Sequence, residues 1–88
     1  MKTELVRGGV VRSMAGHDQG GLFVILDTID DDFVLIADGR TRTLAKPKKK
    51  KRKHLKAIPA FRMETITNAQ LLDADVRKFL KACGENQR

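Results

Sequence analysis

The feature that most constrains this sequence is a run of positive charge in its middle. Residues 46–56 read KPKKKKRKHLK, which puts eight basic residues and no acidic one into eleven positions. Cations packed this densely repel one another unless an anion neutralises them. Outside this basic segment (Lys46–Lys56), ten Lys and Arg face eleven Asp and Glu, so the remainder is close to neutral. One short segment therefore supplies the whole excess charge of +7.

The length of 88 residues allows one small domain with an appended element, and it excludes a large cofactor fold with a deep cleft. No apolar stretch approaches 18 residues, which predicts no membrane span. The first nine residues, MKTELVRGG, carry Glu4 and lack an apolar region, which predicts no secretory signal. Cys83 is the single cysteine, so no internal disulfide is expected, and a cytoplasmic location fits best.

The first half of the chain has the pattern of short strands. Val6–Met14 contains a β-branched pair, and a glycine-rich loop follows at Ala15–Gly21. Leu22–Ile29 is almost continuously apolar, too short for a typical helix, and followed by the acidic turn Asp30–Asp32. These features predict a strand with both faces partly covered.

Two further strand signals flank the basic segment. Asp38 and Gly39 are the residues of a type I′ turn, which predicts a β-hairpin over Phe33–Leu44. His54–Ile58 is predicted as a fifth strand that Pro59 stops. Four or five closely spaced short strands predict a mainly β fold, either a small barrel or a sandwich.

The C-terminal third has helical periodicity. Thr67 and Gln70 match a capping box, and Gly84 is a natural stop, so we predict a helix over about residues 68–83. Its apolar face consists of Leu72, Val76, Phe79, Leu80 and Cys83. Such a helix either covers one end of the barrel or packs against another chain. That other chain would be a protein partner or a second copy of this protein.

The sequence contains only weak evidence for catalytic residues. His17 and Asp18 are adjacent in a loop, but a base and the residue that orients it must meet in space, and sequence neighbours rarely do. Asp30–Asp32 could hold a divalent metal, although a solvated acidic turn is the commoner explanation. Cys83 on the apolar helix face is expected to pack as a small hydrophobe. We therefore expect no enzyme activity, no metal and no cofactor.

The basic segment favours a polyanion as partner. It is internal and lies between predicted strands, so both of its ends are held, unlike those of an idle charged tail. Phosphate contacts with release of counterions are the simplest use for such a segment. No helix-turn-helix is readable and the aromatic residues are few, so recognition of a structured RNA through its backbone and shape is the favoured mode.

A resemblance to a known family agrees with this interpretation. Gly9–Leu26 resembles a KOW motif, with a strand, a G-x-D-x-G loop at Gly16–Gly20, and a second apolar strand. Together with Phe33–Gly39 and Lys46–Leu55, the sequence is similar to small KOW-containing RNA-binding proteins of bacteria. Those proteins are in turn similar to KOW-type large-subunit ribosomal proteins of archaea and eukaryotes. The resemblance covers about residues 5–58.

The resemblance implies an SH3-like β-barrel that binds RNA, often ribosomal RNA. We expect this barrel to span residues 1–60, including the basic loop 46–56, and a helical extension to span 61–88. The alternative is a protein-interaction module of the transcription or translation machinery that uses the barrel or the helix. The residues expected to contact RNA are Arg12, Ser13, His17, Gln19, Gly20, Arg40, Arg42, Lys46, Lys48, Lys49, Lys50, Lys51, Arg52, Lys53, His54 and Lys56.

Overall fold

The apolar runs of the first half form the strands of one antiparallel sheet. The structure is a computed structural model that describes residues 5–16, 19–67 and 70–85. One α-helix, α1 (Asp73–Glu85), and two short 3₁₀ helices, Arg52–His54 and Glu64–Thr67, complete the secondary structure of this part of the chain. The strands are β1 (Gly9–Ser13), β2 (Leu22–Thr28), β3 (Phe33–Ala37), β4 (Lys48–Lys51) and β5 (Leu55–Arg62).

The strand order is β4-β3-β2-β1-β5, with β4 and β5 at the two edges. Among the described residues no pairing joins those edges, so the sheet is not a closed barrel. The prediction of a small, mainly β fold with a C-terminal helix is confirmed, and its five strands form an open sheet.

Both faces of the sheet are apolar. Val10 and Val11 are neighbours on β1, so their side chains point to opposite faces, and both are buried. One cluster, the inner cluster, consists of Val11, Phe23, Ile25, Val34, Ile36 and Leu55. The other cluster, the helix-side cluster, consists of Val10, Val24, Met63, Val76, Leu80 and Cys83. This arrangement explains why β2 reads as a continuous apolar run rather than as an alternating one.

Helix α1 begins later than the sequence predicts. Thr67 lies in a 3₁₀ helix rather than at an N-cap, and residues 68 and 69 lie outside the described residues. The backbone N–H of Leu72 donates to the Asp75 carboxylate at 2.9 Å, and the Val76 N–H donates to the Leu72 carbonyl at 3.3 Å. The hydrogen bond from Leu72, the residue before the helix, to the Asp75 carboxylate is one of the two bonds of a capping box. It fixes the start of the helix at Asp73.

The later start and end of α1 change the roles of two residues. Leu72 precedes the helix and is 63% exposed, so it does not belong to the buried stripe. Gly84 lies inside α1, which ends at Glu85, so it is not the predicted stop. No helix among the described residues is long and apolar enough to cross a membrane.

The predicted hairpin over Phe33–Leu44 is wrong, because residues 40–44 form no strand. The Asp38 carboxylate accepts hydrogen bonds from the backbone N–H groups of Arg40 and Arg42, at 2.8 and 2.9 Å. The Arg42 carbonyl in turn accepts from the N–H groups of Asp38 and Gly39. These bonds close a compact turn after β3, and β4 takes the place beside β3 that the hairpin arm was expected to fill.

This turn packs against the start of α1. Arg77 donates to the Gly39 carbonyl at 2.7 Å, and the Leu44 N–H donates to the Asp73 carboxylate at 2.8 Å. A Cβ atom at Gly39 would lie 2.5 Å from the carbonyl oxygen of Asp73. The glycine is therefore needed for close approach of the helix as well as for its φ of +79°.

Strand β5 runs through Pro59 to Arg62, so the predicted stop at this proline is wrong. Proline lacks an N–H but is tolerated on an edge strand, where one side of the backbone needs no partner strand. The boundary predicted between residues 60 and 61 falls inside β5.

We expect Gly39→Ala to destabilise the fold more than Gly20→Ala. Both glycines have positive φ, +79° and +89°, so each substitution strains the backbone by about 1 kcal/mol or more. Only Gly39 would in addition force its new Cβ against α1, whereas nothing lies within 4 Å of one at Gly20. Urea denaturation measures the difference, and equal losses in the two variants would contradict the close packing of the turn on α1.

We expect the thiol of Cys83 to react with a thiol reagent only after unfolding. Cys83 lies on the buried face of α1 and is 2% exposed, and this burial raises the pKa of its thiol above the ordinary value of 9.0. The folded state thus keeps the thiol neutral where the unfolded state ionises, so Cys83 lowers the free energy of unfolding as the pH rises above 9.0. Labelling at pH 8 with and without urea checks this, and rapid labelling of the native protein would contradict it.

Candidate nucleic-acid interface

The basic segment is built into the sheet rather than left as a loop. Its residues Lys48–Lys51 form β4, which pairs antiparallel with β3 and sets Lys49 opposite Leu35 and Lys51 opposite Phe33. Lysine is depleted in strands, but the edge of β3 supplies backbone partners and the alternation of side chains separates neighbouring charges. The segment then turns through the 3₁₀ helix Arg52–His54 into β5.

The alternation along β4 divides its lysines into two pairs. Lys48 and Lys50 pair with Ile36 and Val34, so they share the face of the inner cluster. Lys50 is only 7% exposed, and its ammonium donates to the Ala15 carbonyl at 3.0 Å. A buried ammonium requires such an acceptor, so Lys50 acts inside the protein.

Lys49 and Lys51 point to the opposite face and are exposed. The Lys49 ammonium lies 4.5 Å from the centroid of the Phe33 ring, a cation–π contact that holds the chain along the strand. The exposed lysines of the basic segment are Lys46, Lys49, Lys51, Lys53 and Lys56. None of these five forms an ion pair with an acidic residue in the described part of the chain.

Arg52 braces the 3₁₀ helix against the turn between β2 and β3. Its guanidinium donates to the Asp30 carbonyl at 3.0 Å and to the Leu5 carbonyl at 3.3 Å. Its backbone N–H donates to the Asp32 carbonyl at 2.8 Å. The Arg52 guanidinium is therefore occupied by backbone carbonyls. From the sequence alone, this structural role could not be distinguished from a contact with phosphate.

The Asp30 carboxylate organises the same turn. It accepts hydrogen bonds from the backbone N–H groups of Asp32 and Phe33 at 2.8 and 2.9 Å. These two bonds lower the pKa of Asp30, slight burial opposes them, and the nearby cations Lys49 and Arg52 lower it further. Asp30 is thus a structural carboxylate that fixes where the two following acidic residues stand.

The β1–β2 loop is closed at its base by backbone hydrogen bonds. The Ser13 N–H donates to Gly21, and the Gly20 N–H donates to the Ser13 carbonyl at 2.7 Å. Ser13 is fully buried and its hydroxyl donates to Ala15, while Arg12 donates to the Gly20 carbonyl at 2.9 Å. Gln19 and Gly20 are exposed, and His17 lies outside the described residues.

This loop contacts the basic segment directly. The Met14 N–H donates to the His54 carbonyl at 2.8 Å, and Lys50 reaches the Ala15 carbonyl. The two expected contact regions, which are separated by about thirty residues in sequence, therefore form one continuous part of the molecule. Sequence reasoning named both regions but could not see that Lys50 joins them.

Arg40 and Arg42 lie elsewhere. They belong to the turn that packs on α1, and Arg40 lines a groove together with Arg77 and Lys81. We expected these two arginines among the RNA contacts of the predicted hairpin, but no hairpin arm exists and they lie in the turn beside α1.

A groove of about 500 Å³ opens beside the 3₁₀ helix, and sequence reasoning did not find it. We call it the Phe33 groove; it is lined by Leu5, Asp31, Asp32, Phe33, Lys51, Arg52 and Lys53. It combines apolar, acidic and basic groups from three separate parts of the sequence. The acidic run Asp30–Asp32 and the basic run Lys51–Lys53 are visible in the sequence. That they lie side by side depends on the pairing of β3 with β4.

No protein-family model matches the chain, and no curated protein matches it either. The similarity of Gly9–Leu26 to a KOW motif stays a prediction.

We expect Lys50→Met to disturb the β1–β2 loop and Lys51→Met to leave it intact. Both variants lose one positive charge from β4, but only Lys50 donates to the loop carbonyl of Ala15. Backbone amide chemical shifts of Ala15, Gly16 and Gln19 in NMR spectra check this. Equal shifts in both variants would show that the contact does not hold the loop.

Proposed function

We propose that the protein is a non-enzymatic RNA-binding module of the cytoplasm. The five exposed lysines of the basic segment bind phosphates of a structured RNA, and the exposed part of the β1–β2 loop, around Gly20, contacts its backbone or base edges. The observation that carries the proposal is that these five lysines are exposed and form no ion pair with an acidic residue in the described part of the chain, and that four of them, Lys46, Lys49, Lys51 and Lys53, lie on or beside the edge strand β4. Their charge is available to a polyanion.

The rigidity of this segment adds to the argument. β4 is hydrogen-bonded to β3, and Arg52 ties the following turn to the backbone near Asp30. A charged segment that is already ordered loses less conformational entropy when it binds than a disordered tail does. Lys50 and Arg52, which serve internal contacts, are left out of the phosphate-binding set.

Recognition of RNA through its backbone and shape is consistent with the position of α1. Its residues Val76, Leu80 and Cys83 are buried against the sheet, so the helix is part of the core. A helix held in this way is not presented as a recognition helix for a major groove. The same packing weakens the alternative of a protein-interaction module that uses the apolar face of α1, because the sheet already covers that face.

The class of RNA is a narrower proposal. An association with ribosomal RNA or a ribosome-related particle is supported only by the resemblance of residues 5–58 to KOW proteins. Salt dependence gives a measure that is independent of that resemblance. If all five exposed lysines meet phosphates of a duplex, the log–log slope of affinity against salt is roughly −4.5.

We expect Lys49→Glu with Lys51→Glu to weaken binding to all structured RNAs by at least about tenfold and to make the salt slope about two units shallower. The matched control is Lys78→Glu with Lys81→Glu, which makes the same change of charge on exposed positions of α1. Titration of a labelled structured RNA at several salt concentrations measures both quantities.

Two results would contradict the proposal. One is an equal loss of affinity in the β4 and α1 variants, which would indicate attraction by total charge alone. The other is a wild-type protein that binds no structured RNA at low salt, or that binds without salt dependence.

A further inference from the structure

The Phe33 groove contains groups that phosphate binding does not use. Leu5 and Phe33 give it an apolar wall, and Lys51 and Lys53 stand at the same groove. Its volume of about 500 Å³ falls in the range of small-molecule sites and is large enough for a nucleotide. An apolar surface beside cations suits a flat ring that carries a phosphate.

The acidic residues of the groove are the unexpected part. Carboxylates repel phosphates, so a surface that bound only RNA backbone would gain nothing from Asp31 and Asp32. Asp30 is committed to the turn, but Asp31 and Asp32 make no side-chain hydrogen bond or ion pair with any residue that the structure describes. They remain two acceptor groups, exposed beside an apolar wall.

We propose that the Phe33 groove binds one unpaired guanine base of the RNA, an inference that rests on the proposed RNA-binding function. The Watson–Crick edge of guanine carries two adjacent donors, the N1–H and the N2 amino group, which match the two oxygens of one carboxylate. Adenine and cytosine present an amino group next to a ring acceptor, which a carboxylate repels. Uracil presents a single donor between two carbonyl acceptors.

The remaining groups of the groove take the other parts of the nucleotide. Leu5 and Phe33 contact the ring, and Lys51 and Lys53 meet the neighbouring phosphates. The guanine has to be unpaired, because pairing would occupy the edge that the carboxylate reads. Sequence-specific proteins commonly read RNA through such splayed-out bases, stacked or packed on side chains.

The test is a set of RNA hairpins that are identical except for one unpaired loop base. That base is guanine, inosine, adenine or uracil, and inosine keeps the N1–H but lacks the N2 amino group. We expect the wild-type protein to bind the guanine hairpin about tenfold more tightly than the adenine or uracil hairpin. Inosine is expected to fall between them, because it loses one of the two donors.

The matching protein variant is Asp31→Asn with Asp32→Asn. It should bind the adenine and uracil hairpins at least as tightly as the wild type, because two negative charges are gone, and the ratio of guanine to adenine affinity should fall to about 1, because the acceptor pair for guanine is gone. The control is Asp27→Asn with Glu64→Gln, which makes the same change of charge at positions outside the groove. This control should keep the preference for guanine.

The outcomes separate the two proposals. Salt-dependent binding of all hairpins with no preference for guanine, or a preference that survives in Asp31→Asn with Asp32→Asn, overturns the guanine site and leaves RNA binding standing. Absence of binding to every hairpin overturns RNA binding itself. If the double variant does not fold, the comparison of guanine, inosine and adenine on the wild-type protein still decides.

Discussion

The structure depends on the need to cover a sheet that is apolar on both faces. Val10 and Val11 cannot both be buried by packing one side of β1, so the chain must supply cover twice. Within 88 residues, side chains of the strands themselves pack together on one face as the inner cluster. On the other face, α1 packs against the sheet and completes the helix-side cluster. The tight turn at Gly39 and the contacts of Asp73 and Arg77 follow from this, because they fix α1 where the helix-side cluster needs it.

The same constraint determines where the charge goes. With both faces of β1 and β2 covered, an edge of the sheet is a place where a run of lysines can join the structure. β4 takes that place beside β3, and its outward lysines remain in solvent while Lys50 reaches the β1–β2 loop. The basic segment is therefore a structural element and a charged surface together.

Local patterns in the sequence predicted the fold class and misjudged the elements that depend on tertiary contacts. The apolar run of β2 and the periodicity of α1 were enough for a mainly β fold with a C-terminal helix. The Asp38-Gly39 dipeptide predicted a hairpin that does not form. Gly39 is there because α1 packs closely against it, and a rule based on local sequence cannot include that tertiary contact. The start of α1 was misplaced because Thr67 offered the stronger motif, although the Asp75 carboxylate caps the helix. Similarly, the role of Lys50 depends on a partner thirty-five residues away.

The two open edges of the sheet have a consequence for how copies of this protein meet. An unpaired strand edge invites pairing with the edge of another chain, and lysine or proline on that edge opposes it. β4 presents the exposed lysines Lys49 and Lys51, and β5 contains Pro59, so each edge carries its own protection. On β4 the protection is electrostatic, since two such strands side by side would bring their charges together. Acetylation of those lysines would remove the repulsion between copies together with the attraction for phosphate, so solubility and ligand binding depend on the same ammonium groups.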